Sequence, residues 1–167
     1  MRVNYKNINN YFQELPTLKF IIAMVLATYL AIVPFIPLFY LYEKYIGQMG
    51  GPDSLETSSL LAKIIVGSII GPILETIIFQ YGIIEILSSI KIFKEKKIII
   101  AIISSLLFAI SHSYSYLYIS YSFIIGLVLA YSYLTYKKKN FSAFGVVFWI
   151  HCIRNTISTI LFMLDWF

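Results

Sequence analysis

The sequence predicts an all-α fold, a polytopic bundle of about five transmembrane helices with its N-terminus cytoplasmic. Three observations carry that prediction. Of 167 residues, 59% are hydrophobic and only 13% charged, about half the charged share of an ordinary soluble domain. Mean hydropathy is +0.81, and the apolar residues fall into runs near the ~20 residues that a helix needs to cross a bilayer. The lysines, which give most of the net charge of +5, stand in short clusters between those runs. Such clusters suit topology and anionic lipid rather than nucleic acid, so membrane lipid is an expected partner and nucleic acid is not. The single cysteine, Cys152, rules out an internal disulfide and a cysteine-rich metal site.

Residues 1–17 form a polar cytoplasmic segment carrying Arg2 and Lys6, and residues 18–167 a single membrane domain. No short apolar core with a small-residue cleavage site follows the start, so no removable signal peptide is expected. The first span runs from about Leu18 to Tyr42 and should kink at Pro34 and Pro37, each of which lacks a helix donor. Glu43 to Ser59 is a loop, marked by Gly47, Gly50-Gly51-Pro52 and the acids Glu43, Asp53 and Glu56. The second span, about Leu60 to Ile90, exceeds what a bilayer needs and should tilt, with Lys63 snorkelling near its start.

Lys91, Lys94, Lys96 and Lys97 make the next loop. The third span starts near Ile98 and reaches the tyrosine-rich stretch Tyr114 to Tyr121. A tight interfacial turn or a long broken helix separates it from the fourth, which ends at Tyr136 before Lys137-Lys138-Lys139-Asn140. The fifth runs from Phe141 to Asp165-Trp166-Phe167. With the N-terminus inside, every lysine cluster falls inside and the acidic loop and Asp165 fall outside, as the positive-inside rule requires. A composition rich in Ile, Lys, Tyr, Phe and Asn suits an AT-rich bacterial genome, and the expected location is the cell membrane.

Glu75 lies deep inside the second span, where a charge costs from about 2.5 to over 10 kcal/mol. At a rise of ~1.5 Å per residue, Glu75 stands about 24 Å above Lys91, and His112 about 21 Å above Ile98. His151 and Asn155 stand about 15 and 21 Å above Phe141. Four polar residues from three helices thus reach one level. Facing agrees, since residues three or four apart share a helix face. Ser104, Phe108, Ser111, His112 and Ser115 line one side of the third span, and His151, Arg154, Asn155 and Ser158 one side of the fifth. Such seams face a bundle interior.

Plainer roles compete. An intramembrane histidine often only hydrogen-bonds a neighbouring helix, and Glu75 can simply neutralise Arg154. Serines and threonines in such helices pack, and Tyr114, Tyr116, Tyr118 and Tyr121 read as an interfacial aromatic belt rather than a substrate platform. Glu85 sits near the lysine loop, with no chemistry expected of it. Cys152 projects about 100° from His151 on a helix, which argues against a Cys-His nucleophile.

Three short patterns add a resemblance. They are Glu75-Thr76-Ile77-Ile78-Phe79-Gln80, Phe108-Ala109-Ile110-Ser111-His112 and His151-Cys152-Ile153-Arg154-Asn155. In order and spacing they resemble the CPBP family, the CAAX-protease and bacteriocin-processing membrane proteins also called Abi, whose motifs are EExxxR, FxxxH and HxxxN. The second and third match fully. The first keeps only its first glutamate, flanked by Pro72 and Phe79. The i,i+4 ion pair of the family pattern becomes Thr76 and Gln80, expected to replace it as a neutral hydrogen-bonded pair.

The resemblance covers about residues 60 to 160 and implies peptide-bond hydrolysis within the membrane. Glu75 would be the general base, His112 the holder of the water, and His151 with Asn155 the donors to the oxyanion. No cofactor is expected; the alternative is a zinc ion held by Glu75, His112 and His151, a workable two-histidine, one-carboxylate set. Two other functions remain open: a catalytically inactive immunity or regulatory partner, suggested by the altered first motif, and a small transporter using Glu75 as a proton or cation site.

Overall fold

The computed structural model describes residues 5–52, 58–139 and 142–164, with side chains from residue 9 onward. Arg2, the side chain of Lys6, Asp53, Glu56, Asn140, Phe141 and Asp165 to Phe167 lie outside the described residues. The described residues form helices and no strands. Four helical stretches are long and apolar enough to cross a membrane: Thr17–Tyr45, Leu60–Ser89, Tyr116–Tyr136 and Ala143–Met163. The chain is an all-α, multi-pass membrane protein.

A helix that the sequence did not suggest comes first, α1 (Tyr5–Glu14). The first span follows as α2 (Thr17–Leu30), a tight turn at Val33–Phe35 and α3 (Ile36–Tyr45). The break falls at Pro34, and Pro37 opens α3 in the first turn, where a missing N–H costs least. Phe20 and Met24 of α2 are buried in the bundle, whereas Leu26 and Leu30 face outward.

The second span, α4 (Leu60–Ser89), changes its pitch along its length. Lys63–Ile70 and Thr76–Ile83 wind with wide i→i+5 turns, and ordinary helical turns lie before, between and after them. Pro72 lacks the N–H that an α-helix would give to Ser68, one reason for the ladder to loosen here. Gly71 and Gly82 bring a bare Cα against the carbonyls of Val66 and Ile77, where a Cβ would come within 3.1 and 3.0 Å. The winding sets the face. Ser68, Pro72, Thr76, Gln80 and Ile84 are all buried, spaced by four. Four residues overshoot a 3.6-residue turn by about 40°, and wider turns undershoot, so alternating the two keeps the seam straight.

After the lysine loop, α5 (Lys97–Ile110) is only 14 residues long. At ~1.5 Å per residue it spans about 21 Å, short of a ~30 Å hydrocarbon core, so this helix is shorter than the expected third span. A tight turn ends it, and the broken-helix alternative falls away. His112 N bonds Ala109 O at 3.0 Å and Tyr114 N bonds His112 O at 2.9 Å. Ser115 then caps α6 (Tyr116–Tyr136) by accepting from Tyr118 N at 3.0 Å. The same hydroxyl donates to Met49 O at 2.7 Å, tying the loop after α3 to this turn. Gly50 of that loop has a φ of +72°, a conformation that favours glycine, and it packs on Tyr114.

α5 and α6 cross closely at Gly126, where any Cβ would meet Phe108 and Ser105 at 3.1 Å. Small residues at such crossings let membrane helices approach. The last helix, α7 (Ala143–Met163), packs against α2, α4 and α6. Ile100, Phe108, Leu129, Val147 and Ile150 fill the centre. Glu85 is held by Tyr133 Oη at 2.7 Å and Lys137 Nζ at 2.6 Å, an anchoring role near the lysine loop.

Candidate active site

Glu75 stands at the end of the ordinary helical turn between the two wide segments of α4, beside the buried seam rather than on it. Cross-helix hydrogen bonds pin the helix on either side of it. Asn155 Nδ2 of α7 donates to Gly67 O at 2.9 Å, and Ser104 Oγ of α5 donates to Phe79 O at 2.9 Å. Both acceptors lie in the wide turns. In hydrocarbon a backbone carbonyl that leaves its ladder needs such a partner.

The carboxylate lies between two imidazoles from two other parts of the chain. His112 Nε2 is 3.6 Å from Glu75 Oε1, and His151 Nε2 is 3.4 Å from Glu75 Oε2. The glutamate side chain is 26% exposed, His112 16% and His151 3%, so the trio is largely shielded. His112 sits in the turn after α5, not on the helix as expected. Its Nδ1 lies 2.8 Å from Phe108 O, so this nitrogen must carry the proton, because a carbonyl only accepts. In the neutral ring the Nε2 facing Glu75 is then an acceptor. The FxxxH spacing is thereby explained: Phe108 supplies both the carbonyl that fixes the tautomer and a ring packed 4.5 Å from His112 and 5.7 Å from His151.

Asn155 does not touch Glu75. It joins His112 and His151 in the wall of a small cavity of about 40 Å³, with Tyr118, Tyr121 and Arg154. That volume suffices for a water molecule, given polar partners. Asn155 Oδ1 accepts from Arg154 Nη1 at 3.0 Å, which orients the amide. One amide proton goes to Gly67 O, and geometry leaves the second uncommitted. His151 Nδ1 is buried with no hydrogen-bond partner among the described residues.

Several expectations need correction. Arg154 does not pair with Glu75. It is buried at 9% exposure, donates to Tyr121 Oη and lies with its guanidinium 5.1 Å from the Tyr121 ring centre. Thr76 and Gln80 form no neutral pair. Both are fully buried, and Thr76 Oγ1 and both amide atoms of Gln80 have no hydrogen-bond partner among the described residues. The tyrosine belt divides. Tyr116 is 82% exposed, but Tyr118 stacks on His112 at 5.9 Å and Tyr121 turns to Arg154. Of the expected third-span seam, Ser104 and Phe108 are buried, whereas Ser111 is exposed and Ser115 belongs to the turn.

Sequence reasoning missed Tyr118, Tyr121 and the Gly67 carbonyl. Tyr118 and Tyr121 do lie three apart on one helix, and that spacing was the available signal. Tyr29 of α2 was missed as well; it holds α7 through Arg154 O at 2.8 Å and Ser158 Oγ at 3.1 Å. For a metal the donors are the right kinds, but no group of three histidine, cysteine or acidic side chains among the described residues is arranged to hold an ion.

No curated protein and no solved structure matches the chain. A family model does, described as type II CAAX prenyl endopeptidase Rce1-like, over residues 57–162. The matched stretch is more than half of the sequence and contains Glu75, His112, His151, Asn155 and every wall residue of the cavity. The chain therefore belongs to the Rce1-like family of type II CAAX prenyl endopeptidases, a family of proteases.

Proposed function

We propose that this protein is an intramembrane endopeptidase that hydrolyses a peptide bond in a membrane-associated peptide or protein. The observation that carries the proposal is the carboxylate of Glu75 flanked by two imidazoles, both of which line a cavity able to hold water. Glu75 takes one proton from a water whose other proton is held by the acceptor Nε2 of His112. The oxygen adds to the scissile carbonyl carbon, and the developing oxyanion draws hydrogen bonds from His151 and Asn155. Collapse breaks the C–N bond, and Glu75 returns the proton to the leaving amine. Water serves as nucleophile, so no covalent enzyme intermediate is involved.

The chain sits in a bacterial cell membrane with its N-terminus and lysine-bearing loops cytoplasmic. Its substrates belong to peptide maturation, bacteriocin processing or self-immunity. Every step uses water and the chain's own side chains. The test uses the purified protein in lipid bilayers, incubated with a membrane-peptide mixture whose new termini are mapped by mass spectrometry. Defined cleavages that persist after exhaustive dialysis against a zinc chelator are expected. Loss of cleavage on chelation, restored by zinc, would place a metal in the mechanism.

A second reading, an inactive immunity or regulatory partner, draws on Thr76 and Gln80, which leave the first motif without its ion pair. On that reading the wild-type protein would yield no new termini and would keep its cellular effect when Glu75 and His112 are both replaced.

A further inference from the structure

A second cavity, about 220 Å³, lies away from Glu75, at the lysine-bearing end of the bundle between α1, α5 and α6. Its polar lining holds two lysines, two amides and the hydroxyls of Tyr131 and Thr135. Lys97 opens α5 and Lys138 follows α6; both line the groove, and neither has an ion-pair partner among the described residues. The neighbours of Lys138 are already engaged. Lys137 binds Glu85, and Lys139 donates to Leu15 O at 2.5 Å and lies over the rings of Phe20 and Tyr136.

Gln13 of α1 lines the same groove, and its amide nitrogen is shielded from solvent without a hydrogen-bond partner among the described residues. Asn9 offers its amide protons there, since its Oδ1 is approached by the hydroxyls of Tyr131 and Thr135 at 3.5 Å. No carboxylate lines the groove. The first turn of α5 adds to this. Its cap residue Lys96 makes no side-chain cap, so the leading N–H groups have no helical acceptor. The remaining wall is apolar, from Ile98, Ala101 and Leu134.

Two ammonium groups, two amides and a free helix start suit a phosphate, and the apolar wall suits an acyl chain beneath it. We infer that this groove is a binding site for an anionic phospholipid, its phosphate between Lys97 and Lys138 and its chain along Ile98 and Leu134. A soluble phosphate would leave the apolar wall uncovered, so the bilayer is the source.

The test is native mass spectrometry of the full chain in detergent, titrated with phosphatidylglycerol or phosphatidylcholine. One phosphatidylglycerol should be retained preferentially. Lys97→Gln with Lys138→Gln should weaken it by roughly 30-fold, taking the usual contribution of each lysine near an anionic headgroup. Both side chains are exposed, so these changes leave the fold intact. Lys91→Gln with Lys94→Gln removes equal charge outside the groove and should retain the lipid. Equal loss in the two double variants, no loss in the groove variant, or no preference over phosphatidylcholine would overturn the site. Binding of free glycerol 3-phosphate as tight as that of the lipid would show a soluble-phosphate site instead.

Discussion

Glu75→Gln should lower the rate of peptide cleavage by about two to four orders of magnitude, the range that a positioned general base supplies. The change is close to isosteric, and neither carboxylate–imidazole contact, at 3.6 and 3.4 Å, is within hydrogen-bond length. The fold should therefore survive. Thermal unfolding should stay level or rise slightly, because the variant removes a charge from a poorly solvated place. Glu75→Asp is the sharper companion. It keeps the charge but draws the carboxylate back by one methylene, and a displacement of about 1 Å can cost about a hundredfold. Full activity in Glu75→Gln would remove Glu75 from the reaction.

Asn155→Asp should lower kcat by about 10²–10³, the cost of one lost donor to an oxyanion in a water-poor site. Asn155 also holds α4 through Gly67 O, so a structural effect must be separated from a chemical one. Ser104→Ala provides the comparison. It deletes the matching cross-helix bond to Phe79 O without touching the cavity, a loss of about 1 kcal/mol of stability. The expected pattern is a kcat effect in Asn155→Asp with KM nearly unchanged, and stability loss with kcat kept within a few-fold in Ser104→Ala. Equal kcat losses in both would make Asn155 a helix tie and nothing more.

How far the sequence disclosed this site follows from what each signal encodes. That Glu75, His112 and His151 meet, with Asn155 in the same cavity wall as the histidines, was legible because helix rise is fixed and the lysine clusters give the spans a common start. The inward face of α7 was legible for the same reason, its residues being regularly helical. α4 was not. Its seam repeats every four residues only because wide turns alternate with ordinary ones, and no pattern of Ile and Leu announces such a change of pitch. His112 was expected among the right neighbours but on the wrong element, since Ser111 to Ser115 continue a helical pattern up to a turn that tertiary contacts with Met49 complete. Tyr118 and Tyr121 were assigned to the interface by residue type, and packing on His112 and Arg154 overrode that preference. Thr76 and Gln80 show the opposite failure. Their chemistry allowed a hydrogen bond that their burial did not deliver.

The most direct measurement of the whole account is isotope tracing in water enriched in oxygen-18. Wild-type protein in bilayers, given a cleavable membrane peptide over a short incubation, should place one heavy oxygen in each new carboxyl terminus. Intact peptide after prolonged exposure to folded protein, or cleaved peptide whose new carboxylate carries no solvent oxygen, would contradict hydrolysis at Glu75.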